Sequence, residues 1–226
     1  MARASEAFVR AVSADAGEVA GTVRLGVAEF VGIEVLPPML AGLRERHPRL
    51  AIELALSNES AALLEREVDI AVRMHRPQQN ALVARRATSI PLGLFARRDY
   101  LERRGEPADV AALAAHDMIG PDRSGRDLEL AGTLFPGVSP SHFALRTDSH
   151  PVHLAAARAG LGIAVVQCPI GNADPVLVRV LPELDVAMLE TWIVTHEDLR
   201  NVAKVRAVFD HLVDGLRRYG AGADLP

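Results

Sequence analysis

GTVRLGVAEFVGIEVLPPMLAGLRERHPRLAIELALSNESAALLEREVDIAVR, residues 21–73, reads as strand, helix, strand, short helix, strand. Val23, Leu25 and Val27 alternate with Arg24 and Gly26, the period of two that places one face of a strand against a core. Residues 28–34 then read as the loop at the carboxyl end of that strand. Leu36, Met39, Leu40 and Leu43 stand at i, i+3, i+4 and i+7, so a helix follows. Pro37 and Pro38 fall in its first turn, where a missing N–H is tolerated, and His47-Pro48 stops it. Leu50, Ile52, Leu54 and Leu56 alternate again. Ser60 is placed to cap a short helix over 61–67, and 68–73 closes as a third strand. Strand–helix–strand units of this kind build a parallel sheet, whose ligands bind outside the carboxyl ends of the strands.

Outward from there, 82–95 is a long extended segment with Pro91 near its middle. A proline has no N–H for a central strand position, so Pro91 marks an edge, a bulge or a crossing point. The pattern then predicts a helix over 109–115, a short strand over 117–119, a strand over 143–147, a helix over 151–159 ended by Gly160, and a buried strand over 162–166. Residues 120–141, rich in Gly, Pro, Asp and Ser, read only as loops and short pieces. After a turn at Pro182, 187–195 is extended. The last helix is the clearest, with Asn201 as cap and Val202, Val205, Phe209, Leu212 and Leu216 at spacings of three and four. Two βαβ halves result.

Composition narrows the function. The 226 residues suffice for one domain or two small ones, and 49% hydrophobic with 24% charged residues is ordinary for a soluble chain. Nothing approaches the ~20 uninterrupted apolar residues of a membrane span, and the opening MARASEAFVRA has no apolar core of a secretory signal, so a cytoplasmic protein without membrane contact is expected. A single cysteine, Cys168, excludes an internal disulfide framework. The net charge of −4 argues against a free-standing nucleic-acid binder, and Arg97-Arg98 and Arg103-Arg104 are too short to form a basic stripe.

Several segments, in order, resemble the effector-binding domain of LysR-type transcriptional regulators: GTVRLGV, Leu36-Pro37-Pro38, His47-Pro48 ahead of IELAL, and VDIAVR. RTDS at 146–149, AGLGIAVV at 159–166 and THEDLRNVAKVRAVFDHL at 195–212 continue the likeness across almost all of 21–218. The resemblance implies an α/β fold of two Rossmann-like subdomains joined by two crossing strands, the type 2 periplasmic-binding-protein-like architecture. Residues 21–91 and 191–218 would form the first subdomain and 92–190 the second, with 1–20 a remnant of linker helix and link, and 219–226 a tail. It further implies a small-molecule effector in the inter-subdomain cleft, with the crossing strands as hinge. The partner would be a second copy, helix 35–46 packing on helix 151–159 of the other subunit, with a tetramer open to the full-length protein. DNA would be met only by a winged helix-turn-helix preceding these residues.

The strand ends nominate the ligand-binding residues: Glu29, Phe30 and Val31; Ser57, Asn58, Glu59 and Ser60; Arg73; Asp148, Ser149 and His150; Gln167 and Cys168. Arg73 either pairs with a ligand carboxylate or with Glu59 or Glu29 at the rim. The helix start at 149–153 offers free N–H groups to an anion, unless Ser149 or Asp148 caps its own helix. Phe30 is the candidate apolar wall. Many LysR relatives have a small hydroxyl residue where Glu29-Phe30 stands, which argues against carboxylate capture there and leaves a bulky apolar or a cationic ligand open. His150-x-x-His153 with Asp148 has the residue types of a metal site, but Pro151 starts the helix there and spoils the i, i+3 geometry. No metal is assigned. Cys168 has no second thiol to resolve it and reads as a small lining residue. Gly160-x-Gly162 closes a helix and opens a strand, the reverse of a dinucleotide fingerprint, and neither a G-x-S-x-G elbow nor a P-loop is present. No cofactor and no catalytic residue follow. Beside the sensing module of a LysR regulator stand two other classes: a solute-binding protein of a transporter, which shares the architecture, and a small α/β enzyme.

Overall fold

A computed structural model describes residues 19–58, 68–74, 76 and 82–223. The readings of 1–16 as linker helix, of 61–67 as a short helix and of 224–226 as the end of a tail lie outside the described residues. The chain divides into two compact units, Met1–Ser89 with Glu190–Pro226, and Ile90–Leu189. Both divisions fall within strands. The first lies inside β4 (Leu82–Arg97), directly before Ile90-Pro91, and the second inside β9 (Ala187–His196).

In the first unit β1 (Gly21–Val27) pairs in parallel with β2 (Leu50–Leu56) on one side and β3 (Ile70–Arg73) on the other, and β3 pairs antiparallel with β9. The register sets Val23 against Ile52 and Leu25 against both Leu54 and Ile70. Val23, Leu25 and Val27 are wholly buried, as the alternation requires. The parallel β1–β2 pair needs a crossover, supplied by α1 (Leu36–Arg46), which buries Leu36, Met39 and Leu43. The edge strand β2 is less covered: Leu50 is buried, but Leu54 and Leu56 are 40% and 42% exposed.

One expectation is overturned at the start of α1. Residues 29–30 are already helical and Val31–Val35 forms a π turn that runs into α1, so 29–34 is not a loop. The cause is the Pro-Pro pair. Neither ring has an N–H, and each crowds the carbonyl four residues back; the wider turn makes room, with Leu36 N–H donating to Val31 O. Val31 and Val35 extend the buried stripe of Met39 and Leu43 two turns backwards.

In the second unit the end of β4 pairs antiparallel with β7 (Ile163–Gln167) and with β8 (Leu177–Val180), while β5 (Met118–Gly120) pairs in parallel with both β6 (Phe143–Arg146) and β7. Leu94, Tyr100, Leu113, Met118, Phe135 and Ile163 lie in its core. Residues 120–141 hold a helix that the pattern did not reveal, α3 (Gly125–Leu134). Ser124 caps it, its Oγ accepting from Asp127 N–H at 3.3 Å, but none of its ten residues is fully buried and only Ala131 and Leu134 pack partly on the core, so its apolar stripe is short. The short α2 (Arg98–Arg104), α5 (Cys168–Ala173) and β8 were likewise missed. Residues 111–115 are a single 3₁₀ turn rather than a helix from 109. Helix α4 runs His150–Arg158, one residue earlier than expected. The last helix, α6 (Ala203–Gly220), is capped at Val202 without a side-chain hydrogen bond, so Asn201 is not its cap. Leu212, Val213 and Leu216 bury its inner face against the first unit.

Candidate functional site

The parallel strands of each unit end in a cluster of the nominated residues. In the first unit, Glu29 and Asn58 clasp each other: Glu29 N–H donates to Asn58 Oδ1 at 3.1 Å, and Asn58 Nδ2 donates to Glu29 Oε2 at 3.0 Å. Ser57 N–H donates to Val27 O at 3.0 Å, which ties the end of β2 to the end of β1. Glu59 and Ser60 lie outside the described residues. Phe30 and Val31 lie at the helix start and are buried, 7% and 1% exposed. Arg73 is buried too, 8% exposed. Its guanidinium donates to the carbonyls of Gly26 and Val72, each at 3.3 Å, which puts a fixed positive charge at the carboxyl ends of β1 and β3.

A residue that sequence reading passed over stands opposite Arg73 in the β3–β9 register. Trp192 is the only tryptophan of the chain; its Nε1–H donates to Glu190 Oε2 at 3.3 Å, and the Arg76 guanidinium lies 5.7 Å from its ring centre. A lone tryptophan in the strand returning beside β3 was the available signal.

In the second unit, Asp148, Ser149 and His150 form the corner between β6 and α4. Ser149 is the N-cap of α4 but makes no side-chain cap bond. Asp148 does not cap α4 either. Its Oδ1 accepts from the amides of Asp122, Arg123 and Ser124 at 2.9, 3.0 and 3.0 Å, and Oδ2 accepts from Arg123 at 3.2 Å, so it caps the entry to α3. Those amides, Ser124 and Arg123 foremost, hold its carboxyl below the ordinary value. His150 Nε2 lies 3.5 Å from Asp127 Oδ2 and, as a hydrogen-bond partner, holds Asp127 low as well. His153 is buried, its Nε2 donating to Thr147 O at 2.7 Å, and its ring meets His150 edge-on at 5.5 Å. Burial pushes His153 down. Asp148, His150 and His153 thus face three different partners, and among the described residues no group of three His, Cys, Asp or Glu is disposed to hold a metal. Gln167 ends β7 as the N-cap of α5, Cys168 opens that helix, and both are buried. Burial pushes the Cys168 thiol up, away from the reactive thiolate.

A model of the LysR substrate binding domain family matches residues 16–217. The chain belongs to that family. An HTH-type transcriptional regulator of Xanthomonas campestris is 31% identical to this LysR domain over 99 residues, which cover 44% of the chain and 29% of that protein. Among solved structures, the regulatory domain of CrgA from Neisseria meningitidis, a LysR-type transcriptional regulator, superposes with a TM-score of 0.76 at 24% identity, covering 87% of this chain and 99% of that one. The full-length virulence activator AphB of Vibrio cholerae gives 0.72 at 20%, covering 94% of this chain and 73% of that one. The LysR domain here has the type 2 periplasmic-binding-protein-like fold of these regulatory domains. The matched stretch spans about a third of the length of the first curated relatives. Among the described residues no helix is long and apolar enough to cross a membrane.

Proposed function

We propose that this LysR domain is the effector-sensing part of a longer cytoplasmic transcriptional regulator, and that it recognises a small molecule at the carboxyl ends of its parallel strands. The observation that carries the reading is the family match over 16–217, nearly the whole chain. Ser57, Asn58, Glu29 and Arg73 of the first unit and Asp148, Ser149 and His150 of the second are the contacts, with Phe30, Val31, Gln167, Cys168 and, beyond the described residues, Glu59 and Ser60 completing the set. Binding acts by population shift: the effector moves the regulator only by its differential affinity for two shapes. DNA is contacted through a domain that precedes these residues, and the chain performs no catalysis of its own. It works as a homodimer, helix 35–46 on helix 151–159 of the partner subunit; Val152, an apolar side chain 42% exposed on the second of these helices, supports that pairing.

The test is a thermal-shift screen against small aromatic and aliphatic acids, amines and amino acids, with the parent and Asn58→Ala compared. A ligand at 100 times its Kd should stabilise the parent by about 2.7 kcal/mol, and less so the variant. Chemical conversion of a stabilising compound would overturn the reading in favour of an enzyme. Equal stabilisation of both proteins would remove Asn58 from the site.

A further inference from the structure

Helix α3 is held in an unusual way. None of its ten residues is buried. Its C-terminal end is anchored, because Ala131 and Leu134 pack partly on the core and Phe135, the residue after it, is buried. Its N-terminal end has polar ties instead. The amides of Asp122, Arg123 and Ser124, which lead into the first turn, converge on the single carboxylate of Asp148, and Asp127 in that turn meets His150. Asp148 and His150 flank Ser149 at the carboxyl end of β6, in the set of residues proposed above to meet the effector.

We propose that Asp148 and His150 form a latch that holds the N-terminal half of α3 in place, and that this half of the helix is ordered or released according to what those two side chains bind. The regulatory meaning rests on the effector-sensing reading; the latch itself does not. A carboxylate whose oxygens accept four hydrogen bonds from three amides gives them up when it turns to a cationic or hydrogen-bond-donating ligand. The freed amides then have only water, and little apolar burial opposes fraying of residues 122–129. By linkage, a ligand that draws on Asp148 favours the released form, and a chain already released binds that ligand more tightly. Residues 131–135 keep their core contacts in both states.

Hydrogen exchange followed by mass spectrometry on the whole chain, with no ligand added, tests the latch separately from effector recognition. Asp148→Ala should speed exchange of the 122–129 amides at least tenfold, while 131–135 and the α6 amides exchange as in the parent. Asp148→Asn, which keeps one acceptor oxygen, should recover part of the protection, and His150→Ala should give a smaller acceleration in the same segment. Unchanged exchange over 122–129 in Asp148→Ala would overturn the latch. Acceleration spread over the whole second unit would overturn it too, since Asp148 would then stabilise the fold at large. If Asp148→Ala does not fold, the Asn and His150 variants decide by the same criterion.

Discussion

Arg73 shows how far a single residue could be read in advance. Its place at the end of a strand was legible from the alternation in VDIAVR, but its partners were not, because the Gly26 carbonyl is 47 residues away and becomes a neighbour only through the β1–β3 pairing. A buried guanidinium on two carbonyls is part of the fold whatever it binds. Arg73→Ala should therefore destabilise the ligand-free chain by about 1.5–3 kcal/mol, measured as a lowered midpoint in urea, with Arg73→Lys intermediate. A variant as stable as the parent would leave Arg73 with ligand binding as its only role. The buried histidines give a second expectation. His116, His153 and His211 are each held below the ordinary 6.5, in every case chiefly by burial. Between the folded and unfolded values the unfolded chain binds more protons, so stability rises with pH through this window and is lost as pH falls below about 6.5. Each contributes a slope of up to about 1.4 kcal/mol per pH unit. Urea midpoints at pH 7.5 and 5.5 should show the loss, and His153→Gln should flatten it. Asp127 and Asp148, held below 3.8, contribute stability that is fully present above that value and lost only as pH falls further, through their lowered values.

At the scale of elements, legibility followed burial. The π turn and α1 share one apolar stripe, so a helix was evident and only its start was misplaced; α6 declared itself by a wide buried face. Helix α3 was missed because its apolar signal is short and only partly buried, Ala131 and Leu134 packing on the core at its C-terminal end, although Ser124 and Asp127 stood at capping distance. The same contrast predicts opposite effects for one substitution. Gly162 lies where the chain enters β7, and a Cβ there would come within 2.2 Å of the Asp117 carbonyl oxygen, the atom that accepts from Ile163 N–H. Backbone cannot yield cheaply, so Gly162→Ala should cost about 1–3 kcal/mol and loosen the β5–β7 pair. Gly132, inside α3, meets nothing within 4 Å, and Gly132→Ala should instead raise stability by about 0.5–1 kcal/mol through helix propensity. Thermal melts of the two variants against the parent check both signs.

At the scale of the whole molecule, the open question is what covers the apolar side chains that each unit leaves in water. A Cβ on Gly32 would lie 2.2 Å from Leu56 Cδ2, so the start of the first helix packs against the edge strand β2; Ile33 in that start is 47% exposed, and Leu54 and Leu56 on the strand 40% and 42%. In the second unit Val152 on α4 is 42% exposed and Leu161, just beyond that helix, 43%. An exposed hydrophobic edge strand invites association, and a second copy is the partner that two-fold symmetry favours. In such an isologous pair every substitution is made twice. Leu54→Glu, at ~1–2 kcal/mol per desolvated leucine, should then weaken dimerisation by about 2–4 kcal/mol, roughly 30-fold to 1,000-fold in Kd. Val152→Glu should act in the same direction, whereas Met188→Glu, on a strand outside the proposed contact and 53% exposed, should leave the dimer intact. Sedimentation equilibrium over a range of concentrations reads all three. If Leu54→Glu and Val152→Glu dimerise as the parent does, the two copies meet through other faces, and these apolar side chains await a different partner.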